Sequence, residues 1–262
     1  MNAKYAKGMS LIELMIAMVI SLVVIGAVLG FTLSSVNTNS EYIQSTRLSQ
    51  ELRNSMDFVS RELRRAGYDQ NVASYVASVN VSTPTTSPFS RLLITNDTNG
   101  DGTANDACVL YAYDLSGGTP GAVDLATGEI RGVRRAIRTI DGQDVGVMEV
   151  AQSATGVTPA CSGSAPTYTT YPPTCSNSGW CALSDPRVLN ITSFTLDTST
   201  YINQAGTAVA TPITIREVGV GLQGQLLRSI DGTVTRGIRS NVKVRADCLA
   251  ATATCALAPS GT

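Results

Sequence analysis

In the stretch NDTNGDGTANDAC, Asp97, Asn99 and Asp101 alternate and Gly102 follows, as in the opening of a D-x-[DN]-x-[DN]-G calcium loop. Alternating oxygens converge on a hard cation when a glycine lets the chain turn sharply, and Asn105 and Asp106 are close enough in sequence to add oxygens. The bidentate glutamate that closes such loops is missing, and Cys108 stands in its place. Asn, Asp and Gly also build ordinary turns, so a calcium loop and a plain turn are both open.

The remaining chemistry-bearing residues exclude more than they suggest. Histidine is absent, which removes the commonest general base and most zinc sites. No phosphate-cradling glycine loop or activated nucleophile is recognisable, so no enzyme is expected. With 19 basic and 20 acidic residues, no global field attracts nucleic acid. Arg131, Arg134, Arg135 and Arg138 form a basic run that reads as one solvated strand face. The six cysteines favour disulfides in an oxidising compartment, since no pair has metal-site spacing. Cys175 and Cys181 frame a small loop around Trp180, and Cys248 and Cys255 frame another. Local pairing of both would leave Cys108 with Cys161, though sequence alone does not choose among the pairings open to six cysteines.

The element that must position everything else lies at the start. From Leu14 to Leu33 only Ser21 is distinctly polar, and about 20 such residues span roughly 30 Å as a helix, the thickness of the bilayer core. A short basic leader with Lys4 and Lys7 ends at Gly8, ahead of the apolar run rather than after it. Glu13 sits near the beginning of that run, where a lone carboxylate costs about 2.5–3.5 kcal/mol even on lenient insertion scales.

Gly8-Met9-Ser10-Leu11-Ile12-Glu13 resembles the type III signal of type IV pilins and of type II secretion pseudopilins. The resemblance implies that a membrane prepilin peptidase cuts between Gly8 and Met9 and that the new Met9 amine is methylated. Met9 departs from the phenylalanine more often found there. The resemblance also gives Glu13 an assembly role: its carboxylate meets the terminal amine of a neighbouring subunit, and opposite charges at contact recover much of the cost of burial. Small residues at Ala17, Ser21, Gly26, Gly30 and Ser34 permit close helix approach, and the resemblance suggests local unwinding near the glycines.

Beyond the polar stretch Asn37–Ser40, Leu48, Leu52, Met56, Val59 and Leu63 step by three or four, which predicts a helix with one buried stripe. Arg64 and Arg65 suit its C-terminal dipole and Gly67 its cap. Short β-rich segments then follow at residues 91–95, 108–115, 129–137, 145–150, 188–196, 213–222 and 234–244, separated by turn residues. A Thr/Ser/Pro/Cys-rich stretch from Gln152 to about Ser184 reads as a loop too polar for the core.

The expected fold is therefore α+β, of the type IV pilin kind: a leader (1–8), a long helix (9–67, transmembrane over about 9–33) and a head (68–262) built on an antiparallel sheet. The ending SRELRRAGY resembles the PilW-type minor pilins. That resemblance implies a subunit that helps prime pilus assembly and sits at or near the tip. Its partners would be other minor pilins, the major pilin, prepilin peptidase, the inner-membrane assembly platform and a tip adhesin. The subunit would wait in the bacterial inner membrane with a periplasmic head and later stand at the cell surface in the pilus. Calcium is the one cofactor considered, and nucleic acid is not expected. A J-like pseudopilin of type II secretion and a membrane-anchored calcium-binding adhesin are the alternative readings.

Overall fold

The computed structural model describes residues 10–71, 87–203, 213–227, 234–245 and 248–249, and in them one long helix precedes nine strands. The chain divides into two compact units, Met1–Thr46 and Arg47–Thr262. Helix α1 (Leu11–Arg65) begins in the first and ends in the second. In the first unit every large apolar side chain from Leu11 to Val36 is at least 55 % exposed, so this chain supplies no cover for them. The few hydroxyls are satisfied inside the helix: Ser21 donates to the Ala17 carbonyl (2.7 Å), Thr32 to Val28 (2.8 Å) and Thr38 to Ser34 (3.0 Å). Such back-bonding lets a polar residue sit in hydrocarbon. The helix runs unbroken through Gly26 and Gly30.

In the second unit the helix becomes part of a core. Leu48, Leu52, Met56, Val59, Leu63 and Ala66 are all buried, as the stepping of the sequence predicts. Gly67 ends the helix at φ +81°, a left-handed conformation glycine adopts without a Cβ penalty, and its N–H reaches the Ala112 carbonyl (2.8 Å).

The head holds two sheets where one was expected. The first is an antiparallel meander of β1 (Leu92–Thr95), β2 (Cys108–Ala112), β3 (Ile130–Ile140), β4 (Gln143–Gln152) and β5 (Trp180–Ala182), in that order. Asp141 and Gly142, at φ +51° and +77°, close the β3–β4 hairpin as a two-residue turn. The second sheet has the order β6 (Leu189–Asn203), β7 (Ile213–Leu226), β8 (Thr235–Lys243), with β9 (Cys248–Leu249) also paired to β7. The sheets are joined where the β1–β2 connection meets β6. There Asn96 behaves as a surrogate peptide group, donating to the Leu196 carbonyl (2.9 Å) and accepting from its N–H (3.1 Å). Ala107 and Asn105 add backbone bonds to Phe194. Both sheets and the α1 stripe share one core.

Candidate functional site

At the start of α1, Ser10 is the last residue before the helix and Glu13 lies in its first turn. The Glu13 carboxylate accepts the Ser10 N–H at 3.3 Å, one half of a Ser-x-x-Glu capping box. A negative charge is also favoured there by the helix dipole. Gly8 and Met9 lie outside the described residues. The terminus therefore combines a carboxylate held at the helix end with an apolar surface that continues along the helix from Leu11.

The Asp97 loop folds on its own side chains. Asp97 accepts the N–H groups of Gly100 (2.8 Å), Asp101 (3.2 Å) and Gly102 (2.9 Å). Asn99 donates to Asp101 (2.9 Å), and Asp101 accepts the Thr103 N–H (2.7 Å). That amide, followed by Asn99, holds the Asp101 carboxyl below its ordinary range. Asp97, Asn99 and Asp101 are thus gathered in one turn, whereas of the two further residues only Asp106 has its side chain engaged elsewhere, the Asn105 amide oxygen being buried without a hydrogen-bond partner. Asp106 is buried and ion-paired with Arg135, and the Asn105 carbonyl accepts the Phe194 N–H. A cation here would have the side chains of Asp97, Asn99 and Asp101 to hold it, with the Asn105 amide oxygen the one further unengaged oxygen of the expected set. Among the described residues no group of three or more His, Cys, Asp or Glu side chains is close enough to bind a metal.

The basic run is not a solvated face. Arg134 and Arg135 are buried. Arg134 and Arg138 both converge on Glu149, which has no exposed side-chain surface. Arg134 Nε reaches Glu149 Oε2 and Arg138 Nε reaches Oε1, each at 2.7 Å, while the Tyr168 hydroxyl donates to Oε1 at 2.9 Å. Burial opposes ionisation of Glu149, yet the Arg138 hydrogen bond and the Arg134 charge outweigh it and hold the carboxyl below its usual range. Burial, then the Glu149 charge, push Tyr168 up. The cluster was not anticipated from sequence. Its signal was a single Glu within the apolar run VGVMEVA, which antiparallel pairing sets opposite Arg134.

The cluster is roofed by a strap of residues 153–179, most of the stretch from Gln152 to about Ser184 that reads in sequence as a loop too polar for the core. Arg134 donates to the carbonyls of Cys161 (2.7 Å) and Gly163 (2.8 Å), and its guanidinium lies 4.0 Å over the Trp180 ring. Trp180 is fully buried in β5, contrary to the polar-loop expectation, and its indole N–H reaches the Ala160 carbonyl at 2.9 Å. The structure joins Cys108 to Cys161 and Cys175 to Cys181, tying the strap to β2 and to β5. Cys248 lies in β9, and Cys255 falls outside the described residues.

Known family models match residues in both units. The prokaryotic N-terminal methylation motif matches residues 3–29, and the family described as prepilin peptidase-dependent protein B matches residues 41–244. No curated protein and no solved structure matches the chain significantly. The second family match covers most of the chain, the α1 stripe and strands β1 to β8 included. The chain therefore belongs to the prepilin peptidase-dependent protein B family, pilin-like proteins that carry an N-terminal methylation motif.

Proposed function

We propose that this chain is a minor pilin that helps prime type IV pilus assembly and stands just below the pilus tip. The observation that carries the proposal is the exposed apolar surface of α1 with Glu13 held at its first turn. Within a bilayer that surface faces lipid, and within a bundle of similar helices it faces neighbours. Glu13 favours the second state when a neighbour's terminal amine supplies the counter-charge. A subunit at the extreme tip has no earlier subunit to offer an amine, so a retained Glu13 argues for a position beneath it. The head, periplasmic before assembly, helps carry a tip adhesin.

The test is Glu13→Ala. It should leave membrane insertion intact, because a carboxylate is removed from hydrocarbon, while lowering co-purification with other pilin subunits at equal membrane levels. Undiminished association with normal piliation would refute the assembly role. Mass spectrometry of sheared pili separates this proposal from a J-like pseudopilin, which shares the N-terminus and would be missing from pilus preparations.

A further inference from the structure

The two disulfides that hold the strap sit in opposite surroundings. Cys108 is fully buried, in a small cluster with Ala151 and Trp180, and Cys161 packs against it. Cys175 is exposed and Cys181 half-buried, on β5, the edge strand of its sheet. We propose that Cys175–Cys181 is an exchangeable disulfide that takes an incoming thiol at Cys175, whereas Cys108–Cys161 is a closed structural bond. The incoming thiolate forms a bond to Cys175 Sγ. The Cys175–Cys181 bond breaks, and its electron pair leaves on Cys181 as a thiolate. The thiol's proton passes to solvent and no net oxidation occurs. Cys181 lines a cavity of about 110 Å³ whose walls also hold Arg131 and Glu62.

The turn between the two cysteines is held by hydrogen bonds as well as by their disulfide. Ser176 N–H reaches the Trp180 carbonyl (2.7 Å), Gly179 N–H the Ser176 carbonyl (3.0 Å) and Trp180 N–H the Ser176 hydroxyl (3.1 Å). Buried Trp180, under Arg134, anchors the far end. Cys181 therefore stays beside Cys175 after exchange and can displace the incoming sulfur again, which makes the site a reversible attachment point for a partner bearing an accessible thiol.

The experiment treats the full-length, detergent-solubilised chain with reduced glutathione without denaturant, then alkylates and maps the cysteines by peptide mass spectrometry. Trp180, the one tryptophan of the chain, reports in parallel on the strap. The expected result is a single glutathione on Cys175, an alkylated Cys181, an intact Cys108–Cys161 bond and unchanged Trp180 emission. An adduct on Cys181 instead, loss of Cys108–Cys161 at the same rate, or no adduct until denaturant is added would each overturn the proposal.

Discussion

Glu149→Gln keeps the size of the side chain, removes its charge and should destabilise the head by about 3–5 kcal/mol. In the intact cluster two guanidiniums share one carboxylate, with Arg134 only 3 % exposed and Glu149 fully enclosed. The substitution leaves both positive charges without a counter-ion. It also turns an amide NH₂ toward guanidinium donors unless the amide places it at the Tyr168 hydroxyl, the one neighbour of the Glu149 oxygens that can accept. Arg138→Met should cost less, about 1–2 kcal/mol, because Arg138 is 22 % exposed and its removal leaves a neutral Arg134–Glu149 pair. Urea unfolding followed by Trp180 emission measures both, comparing midpoints at unchanged slope. Folded Glu149 has a depressed pKa and binds fewer protons than unfolded Glu149. Its stabilisation is present above the unfolded value, about 4.3, and is lost as pH falls through the folded one. Glu149→Gln should therefore also flatten the acid side of the stability profile. Equal midpoint shifts for the two variants, or a Glu149→Gln loss under about 1 kcal/mol, would refute the reasoning.

Other expectations follow from other parts of the molecule. The mature protein should begin at Met9 with a methylated amine, and an intact Met1 in a host carrying the peptidase would contradict it. Removing Cys108 and Cys161 together, 53 residues apart, should cost about 4 kcal/mol, against about 2 kcal/mol for Cys175 and Cys181, six residues apart, by loop-closure entropy; paired Ser variants compared by thermal melting test the order. Gly146→Ala should destabilise by about 1–3 kcal/mol, because a Cβ there collides with the Ile191 carbonyl oxygen and the Arg135 guanidinium; an unchanged melting temperature would show that β6 yields. Calcium should raise the melting temperature of the wild-type chain and not of Asp101→Ala, and a curve unmoved by chelator would leave the Asp97 loop a self-contained turn.

The helix and its buried stripe were legible because their signals are local: a 3.6-residue period from Leu48 to Leu63, closing arginines and a capping glycine. Strands β1 to β4 and β6 to β8 were found for the same reason, while β5 fell inside the stretch read as a loop and β9 was not anticipated. What could not be read was which strand meets which. Arg134 and Arg138 look like a solvated face until β3 and β4 pair and bring Glu149 opposite Arg134. Asp106 looks like a calcium ligand until Arg135 arrives from β3, a strand distant in sequence. The strap gives no apolar signal, because it meets the cluster through backbone carbonyls on Arg134 and the Tyr168 hydroxyl on Glu149. Asn96 carries no signal at all, since its pairing with Leu196 exists only once two sheets are in place.

The stripe on α1 has a mechanical consequence. Leu48 to Ala66 runs along the helix axis for about 27 Å, and every side chain of the stripe is seated in the head's core. Near its far end Glu62 is gripped by the hydroxyls of Tyr111 (3.0 Å) and Tyr113 (3.4 Å). Tension applied along the helix strains all these contacts together, as shear, so the resistance of each adds to the rest. A sideways tug acts differently: it peels the helix away one residue at a time, beginning at Leu48. The head is built to be dragged by its helix, and its weak direction is lateral.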